Sequence, residues 1–254
     1  MTGGASGIGA ACVESLVARG DTVTSFDLSI PRDPVAMVRY ETVDVTNAAA
    51  VATAVASASD RSPVLGLVNS AGTRGGAERA GSASREAARS SMEPGAERRA
   101  TLTRAFADID TDSFQAMLAV HLLGTFHTMQ ATLPGMIARR AGSIVNISSM
   151  CGIIGCEIAP HYSAAKAAVI GLSKSIVRDV SRVGVRVNVV APGYVDTPMH
   201  HGVETARAEA LKDQIPMGRF GHPREIAALV SHLLDSDSAY TTGQVISPSG
   251  GQVL

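Results

Sequence analysis

Six short runs rich in valine or isoleucine alternate with longer stretches of helical composition along this chain of 254 residues. Each run has a length typical of a strand, and the stretches between runs are long enough to form crossover helices. Such alternation predicts a Rossmann-like α/β fold, a doubly wound parallel sheet flanked by helices. A hydrophobic content of 45% fits a single domain over residues 1–254. The predicted strands span 22–26, 38–42, 64–69, 142–148, 185–191 and 243–246.

The sequence opens with Met-Thr-Gly-Gly-Ala-Ser-Gly-Ile-Gly, which places Gly3, Gly7 and Gly9 directly ahead of an apolar-periodic segment. Glycines allow the backbone to turn tightly and to approach a pyrophosphate, whose charge then lies at a helix N-terminus. A β-type run follows and ends at Asp27, where a carboxylate can hold the ribose hydroxyls of an adenosine. Turn, helix, strand and acid in this order predict a dinucleotide site.

Tyr162 and Lys166 are four residues apart in a segment of helical composition. That spacing puts both side chains on one helix face. A positive charge beside a phenol lowers the cost of ionising it, so a tyrosine placed in this way can act as a general base near neutral pH. Ser149 lies a short distance upstream and is a candidate hydrogen-bond donor for the same site.

On these motifs the chain resembles the short-chain dehydrogenase/reductase family, over nearly its whole length. The N-terminal glycines are similar to that family's cofactor motif, and Ser149, Tyr162 and Lys166 match its catalytic residues. The resemblance implies hydride transfer between a nicotinamide cofactor and a secondary alcohol or its ketone. Tyr162 would move the proton, Lys166 would lower the pKa of Tyr162 and contact the nicotinamide ribose, and Ser149 would bind the substrate oxygen.

Several further segments carry the same resemblance. The Asp44-Val45 pair resembles the family's adenine-contacting pair, and 69–72 resembles the motif after its fourth strand. The segment from Pro192 to Thr197 resembles the one that holds the nicotinamide carboxamide. The cofactor-binding residues implied in this way are Gly3, Ser6, Gly7, Ile8, Gly9, Asp27, Asp44, Val45, Asn69, Ala71, Gly72, Tyr162, Lys166, Pro192, Gly193, Val195 and Thr197.

Asp27 favours NAD over NADP, because a carboxylate accepts hydrogen bonds from ribose hydroxyls but repels a 2′-phosphate. An NADP-dependent reductase of the 3-oxoacyl type remains an alternative, with Arg32 as the one nearby residue able to offset Asp27. Oxidation of cyclic dihydrodiols or steroids is equally compatible with the motifs. A nucleotide-binding regulator without catalysis is the alternative from a different class, and the intact Ser149, Tyr162 and Lys166 set argues against it.

The first strand of the expected fold is truncated, because only Met1 precedes Thr2. In the family this strand is central, and its loss removes several buried aliphatic side chains worth about 1.5–3 kcal/mol each. We therefore expect the coding sequence to begin upstream, with Met1 a misread internal position. A native chain that compensates for the missing strand is the alternative.

His121 stands where the family usually has an asparagine that fixes a local helix distortion and a water of the proton relay. The two ring nitrogens of histidine can donate and accept hydrogen bonds, so His121 is a candidate catalytic residue. A histidine satisfied locally, with no part in catalysis, is the alternative.

An insertion at about 73–107 is roughly twenty residues longer than the family's usual connection. Its Ala, Arg, Ser, Gly and Glu content is typical of a solvated helix or mobile loop, and a substrate lid or subunit contact is the functional alternative. We expect no metal site, since His200 and His201 have no third ligand at suitable spacing.

The formal charge of −1 gives no electrostatic reason to expect nucleic acid or an anionic membrane as a partner. Three cysteines, without Cys-x-x-Cys or zinc-like spacing, predict no disulfide framework. No signal peptide or long apolar run is evident. We expect a cytoplasmic enzyme with a small-molecule substrate, and the family resemblance implies a homodimer or homotetramer.

Overall fold

The computed structural model describes residues 1–73, 106–157, 159–198 and 205–253. Nearly all of the predicted insertion at 73–107, as well as His200 and His201, lies outside these residues. Among the described residues, no helix combines the length and apolar character needed to cross a lipid bilayer.

Six parallel strands form at the six predicted places, which confirms the doubly wound α/β prediction. Valine and isoleucine pack well on a pleated, buried surface, so these runs become strands. The last strand has only two residues. The strands are β1 (Thr24–Asp27), β2 (Arg39–Thr42), β3 (Gly66–Asn69), β4 (Gly142–Ile147), β5 (Val185–Val190) and β6 (Val245–Ile246).

The helices begin where the sequence offers caps. Asn47 and Asp110 each accept a backbone N–H of the following turn, and Pro160 occupies a first-turn position, where its missing N–H costs no hydrogen bond. The helices of the described residues are α1 (Gly7–Ala18), α2 (Ala48–Arg61), α3 (Thr111–Leu118), α4 (Gly124–Arg139), α5 (Cys151–Ile154), α6 (Pro160–Val180), α7 (Thr205–Lys212) and α8 (Pro223–Leu234).

The sheet consists of a β1–β2 pair and a β3–β4–β5–β6 block, with Thr2 between them. Thr2 forms parallel bridges with Phe26 of β1 and with Asn69 of β3. Its N–H donates to the Val68 carbonyl at 2.9 Å, and the Gly3 N–H donates to the Phe26 carbonyl at 2.8 Å. Met1 to Gly3 therefore occupy the central position of the sheet, between β1 and β3.

The core lies on both faces of the sheet, as alternation along the strands requires. On one face, Val68 and Val145 pack with α1 and α8. On the other, Leu67 and Ile144 pack with α4 and α6. A third cluster joins Phe26 of β1 to α2. Helices on both faces leave the carboxyl ends of the strands as the edge at which loops can form a site.

A buried polar network crosses this core beneath that edge. The Asn69 amide donates to Asn146 Oδ1 at 2.8 Å, and the Asn146 amide donates to Ser173 Oγ at 2.8 Å. The Thr128 hydroxyl donates to Asn69 Oδ1 at 2.6 Å. These four side chains are at most 4% exposed, so their hydrogen bonds link β3, β4, α4 and α6 away from water.

Candidate active site

The glycine-rich turn forms a cradle that side chains would fill. A Cβ on Gly3 would lie 2.6 Å from the Ala71 backbone nitrogen, and one on Gly9 would overlap the Gly3 carbonyl oxygen. Gly3 and Gly7 also have positive φ angles of 70° and 55°. Ser6 occupies the N-cap position of α1 but makes no side-chain cap hydrogen bond. The first-turn N–H groups of α1, including that of Ile8, therefore face a cradle suited to a phosphate.

Asp27 ends β1 next to this cradle. Its carboxylate accepts the Ala5 N–H at 2.9 Å and the Leu28 N–H at 2.7 Å. These two bonds fix the carboxylate between the glycine-rich turn and the loop after β1. A carboxylate held there has the chemistry required to accept ribose hydroxyls.

Thr2, the residue before the first glycine of the turn, connects that turn to the loop after β3. Its hydroxyl oxygen lies 3.2 Å from the N–H groups of both Ser70 and Ala71, so Ala71 and Gly72 lie beside the glycine-rich turn. This contact follows from the position of Thr2 in the sheet, between β1 and β3.

Two other predicted cofactor residues, Asn69 and Val45, have buried side chains, so these side chains are not open to a cofactor. The Asn69 side chain belongs to the buried network, so its amide is directed into the core. Val45 is 7% exposed and packs where a Cβ on Gly124 would lie 2.7 Å from it. Asp44 is exposed and accepts the Thr46 N–H and hydroxyl, each at 2.8 Å.

The loop after β5 reaches the same edge. Thr197 is 8% exposed and lies beside the cradle, 3.4 Å from a Cβ built on Gly7. Gly193 packs closely against the Ser249 backbone, while Val195 is buried in the core against α8. The Pro192 carbonyl accepts the Met150 N–H at 2.9 Å, which ties this loop to the end of β4.

Tyr162 and Lys166 both lie on α6, as their spacing predicts, and the Lys166 Nζ is 5.8 Å from the centre of the Tyr162 ring. Lys166 is 5% exposed, and its Nζ donates to the Ile147 carbonyl at 2.8 Å. Burial lowers the pKa of Lys166 to about 7. The sequence predicts a fixed positive charge, whereas the structure buries the ammonium, so that it is easier to deprotonate than a surface lysine.

Ser149 follows β4 and is 8% exposed. Its Oγ accepts the Cys151 N–H at 3.1 Å. The neighbouring Ser148 hydroxyl donates to the Lys166 carbonyl at 2.8 Å, which joins the end of β4 to α6. The serine and the Tyr-Lys pair therefore share the carboxyl edge of the sheet with the glycine-rich turn.

His121 lies in a π-helical turn, Ala119–Leu123, between α3 and α4, at the predicted helix distortion. Its Nε2 contacts the Thr73 carbonyl at 2.8 Å and the Thr73 N–H at 3.2 Å. Its ring meets the Tyr162 ring edge-on, with centroids 5.2 Å apart. Nδ1 is buried and has no hydrogen-bond partner among the described residues.

The surroundings of His121 favour its neutral form. Burial, and then the charge of Lys166, lowers its pKa to about 3, although the Thr73 backbone bond acts in the opposite direction. A neutral imidazole can donate from one nitrogen and accept at the other. The open Nδ1 therefore leaves His121 with one hydrogen-bonding position beside Tyr162.

A disulfide joins Cys151 and Cys156, a single bond that the prediction of no disulfide framework did not anticipate. The physical reason is local: α5 is a single turn that ends at Gly155 with φ of +76°, which turns the chain back and leaves the two Cα atoms 4.9 Å apart. Cys12 remains a free, buried thiol.

Several known proteins and one family model are similar to this chain. A family model described as enoyl-(acyl carrier protein) reductase matches residues 93–252. A 3-oxoacyl-(acyl-carrier-protein) reductase of Thermotoga maritima is 41% identical over 143 residues, which are 56% of this chain and 58% of that protein. An acetoacetyl-CoA reductase of a Synechocystis species is 34% identical over 252 residues, 98% of this chain and 93% of that protein.

Solved structures share the whole fold. An oxidoreductase of the short-chain dehydrogenase/reductase family from Burkholderia thailandensis has a TM-score of 0.78 at 31% identity, covering 99% of this chain and 90% of that chain. A ribose-5-phosphate isomerase from Brucella melitensis reaches 0.81 at 28% identity, with the same coverage. Because a protein named as an isomerase shares the fold, likeness of fold alone does not decide the reaction. With the family model and the relative aligned along almost its full length, the chain belongs to the short-chain dehydrogenase/reductase family.

Proposed function

We propose that this protein is an NAD(H)-dependent oxidoreductase that transfers a hydride between its cofactor and a secondary alcohol or ketone. The observation that carries the proposal is the position of Ser149 with Tyr162 and Lys166 at the sheet edge that also holds the glycine-rich cradle. A proton-transfer group and a dinucleotide cradle on one edge are the two parts that alcohol oxidation requires.

The residues present fit a dinucleotide. Gly3, Gly7 and Gly9 leave room for a pyrophosphate, and the uncapped first turn of α1 offers N–H donors to it. Asp27 is held in place to accept two ribose hydroxyls, which supports NAD over NADP. When bound, the nicotinamide supplies or accepts the hydride.

The protein's own groups handle the proton and the oxygen. In the oxidation direction, the Tyr162 phenolate takes the hydroxyl proton of the alcohol, and in reduction the phenol returns it. Ser149 donates its hydroxyl hydrogen to the substrate oxygen, where negative charge develops. The Cys151 N–H bonded to the Ser149 oxygen leaves that hydrogen available for donation.

Lys166 provides the charge that favours the Tyr162 phenolate. Its Nζ lies 5.8 Å from the phenol ring and is shielded from water. A charge shielded from water interacts more strongly with its neighbours than a charge at the surface. Burial also disfavours the charged form of the lysine, and it lowers the pKa of Lys166 to about 7.

His121 is proposed to take the relay position that an asparagine usually fills. Its edge-on contact with Tyr162 and its unpartnered Nδ1 support this role, since a water bonded to Nδ1 would lie near the phenol. The low pKa of about 3 keeps the ring neutral across the working range, so the relay uses hydrogen bonding and not charge.

A second candidate is an NADP-dependent reductase of 3-oxoacyl thioesters. The names of two relatives, a 3-oxoacyl-(acyl-carrier-protein) reductase and an acetoacetyl-CoA reductase, support this substrate class. The same Tyr162 and Ser149 roles would apply to a ketone at position 3 of an acyl chain. Asp27 argues against the phosphate of NADP, so the two candidates differ first in cofactor.

One experiment separates the candidates. Initial rates are measured for acetoacetyl-CoA and for a panel of secondary alcohols and ketones, each with NAD(H) and with NADP(H). The primary proposal expects a higher kcat/KM with NAD(H) on the best substrate. A ratio in favour of NADP(H) with acetoacetyl-CoA would select the second candidate. Cofactor binding with no turnover of any substrate would indicate the non-catalytic regulator.

The proposal also covers the cellular location, the oligomeric state and the partners of the protein. We propose a cytoplasmic homodimer or homotetramer with a small-molecule substrate and no nucleic-acid or membrane partner. The formal charge of −1 gives the protein no net positive charge to attract nucleic acid or an anionic membrane. Light scattering on the purified protein measures the assembly.

A further inference from the structure

The segment 151–156, called here the cystine loop, connects the end of β4 to the residues before α6. It comprises the single turn α5, Gly155 and Cys156, and the disulfide between Cys151 and Cys156 closes it. The loop therefore lies between Ser149 and Tyr162 in the chain. Any change in its shape acts on the connection between two residues of the proposed catalytic set.

Three contacts join the cystine loop to that set. The Cys151 N–H donates to Ser149 Oγ at 3.1 Å. At the other end, the Cys156 N–H donates to Ser163 Oγ at 3.1 Å, one residue after Tyr162. In the middle, a Cβ on Gly152 would lie 2.7 Å from the Lys166 carbonyl carbon, so the loop backbone presses against α6. Both half-cystines thus hold hydrogen bonds at the substrate side of the site.

The loop is open to a reductant. Ile153 and Ile154 are 42% and 61% exposed, and Cys151 and Cys156 are half-buried. Cys12, in contrast, is fully buried, and burial raises its pKa to about 12, which leaves no thiolate to react. Thiol chemistry in the described part of the chain is therefore confined to the pair in the loop.

We propose that the Cys151–Cys156 disulfide is a redox-responsive modification site that sets the position of Ser149 and so kcat/KM for the substrate, an inference that rests on the proposed function. A dithiol reductant, such as dithiothreitol or a thioredoxin-class protein, attacks one sulfur through a thiolate and forms a mixed disulfide. Its second thiol then displaces that bond. Two electrons and two protons pass to the loop, leaving two cysteine thiols and an oxidised reductant.

Reduction removes the covalent closure but none of the residues. The loop then depends on single hydrogen bonds from Cys151 and Cys156 and on the Gly152 contact, so its ends gain freedom. The Cys151 N–H that orients the Ser149 hydroxyl is then less tightly held, so the hydroxyl samples orientations that do not meet the substrate oxygen. Asp27 and the glycine-rich turn have no described contact with the loop, so we expect the protein to keep its hold on the adenosine and pyrophosphate of the cofactor, which limits any loss of cofactor affinity.

The test compares the oxidised and reduced protein directly. Alkylation and mass spectrometry should count one reactive cysteine per unfolded chain before reduction and three after it. We expect reduction by dithiothreitol to raise the substrate KM and to lower kcat, so that kcat/KM falls about tenfold, within the loss expected for a misplaced catalytic group. The Kd of NAD(H) should stay within twofold, and reoxidation by diamide should restore kcat/KM.

Two variants sharpen this comparison. Cys151→Ser/Cys156→Ser should show the lowered kcat/KM without reductant and should not respond to dithiothreitol. Cys12→Ala is the matched control, since it removes the third cysteine and should keep the full response. Equal kcat/KM values for the oxidised protein, the reduced protein and the double variant would overturn the proposal, as would three free thiols after diamide treatment.

Hydrogen exchange separates this inference from the proposed function. Amide exchange in peptides covering 149–163 should be faster in the reduced protein, whether or not a substrate is known. If no substrate is turned over but exchange changes as expected, the proposed function fails and the redox-responsive loop stands. Identical exchange in both redox states would refute the loop proposal, even in an active enzyme.

Discussion

The glycine-rich turn and the cystine loop lie at the same edge of the sheet but are held in different ways. The turn is fixed by backbone geometry: Gly3 and Gly9 fit only because they lack side chains. The cystine loop is fixed by a disulfide and two hydrogen bonds to serine hydroxyls. The proposed cofactor side is therefore held by close packing of the backbone, whereas the proposed substrate side depends on a disulfide, which a reductant can cleave, and on two hydrogen bonds.

The largest expected effect tests whether the substrate side carries the reaction. Tyr162→Phe removes the acid/base group with little packing volume, so kcat should fall about 10²–10⁴-fold. The Kd of NAD(H), measured by fluorescence titration, should change less than twofold. Tyr240→Phe is the control, because Tyr240 is fully exposed and should leave kcat unchanged. Retention of more than about a tenth of kcat in Tyr162→Phe would mean that another residue moves the proton.

The next prediction tests the close packing of the cofactor side. Gly9→Ala puts a methyl group onto the Gly3 carbonyl, and such overpacking should cost about 1–3 kcal/mol of unfolding free energy and weaken NAD(H) binding. Gly171→Ala is the control on α6, where a Cβ meets open space, and it should stabilise by about 0.5–1 kcal/mol. Chemical denaturation and cofactor titration measure both. A Gly9→Ala protein that binds NAD(H) normally would contradict the cradle.

A smaller effect is expected at Asp27, which is proposed to distinguish NAD(H) from NADP(H) by its charge and its hydrogen bonds. Asp27→Ala should reduce the ratio of kcat/KM for NAD(H) over NADP(H) about tenfold, because one repulsive charge and two hydrogen bonds are lost. Asp60→Ala, an exposed carboxylate on α2, should leave the ratio unchanged. An unaltered ratio in Asp27→Ala would remove Asp27 as the basis of the NAD preference.

The last prediction concerns the stability of the protein in acid and depends on His121, which contacts Tyr162. Its pKa is about 3 in the folded protein and near 6.5 when unfolded, so the unfolded chain binds more protons between these values. Stability from the neutral ring is thus complete above pH 6.5 and is lost as pH falls toward 3, by at most about 1.4 kcal/mol per pH unit. His121→Asn should be active and should lose less stability from pH 6.5 to 4 in urea titrations. Parallel pH curves for both proteins would disprove the buried neutral histidine.

The strands and the cofactor cradle were predictable because their signals are local. Runs of valine and isoleucine mark the strands, and three glycines before a helix mark the turn. Tyr162 and Lys166 were predictable for the same reason, since four residues on a helix fix their relative position. The helix distortion around His121 was expected through resemblance, and the π-helical turn at Ala119–Leu123 confirms it.

Other features depend on chain reversals and long-range pairing, which spacing does not encode. The Cys151–Cys156 disulfide was missed because only the turn of α5 at Gly155 brings the sulfurs together. Asn69 and Asn146 are 77 residues apart, so their hydrogen bond was not visible in the sequence. The depressed pKa of Lys166 likewise follows from tertiary burial, which converts an expected fixed charge into a titratable one.

The buried Asn69–Asn146–Ser173 network has a consequence for how accurately the edge is built. An apolar core tolerates a shift in the register of its strands, because hydrophobic contacts are non-directional. A chain of paired amides does not, since moving β3 against β4 by two residues would leave several dry donors and acceptors unmatched. The network therefore favours one register of β3 and β4 and one position of the helices packed on them. The distances between the side chains at the carboxyl edge of the sheet follow from that register.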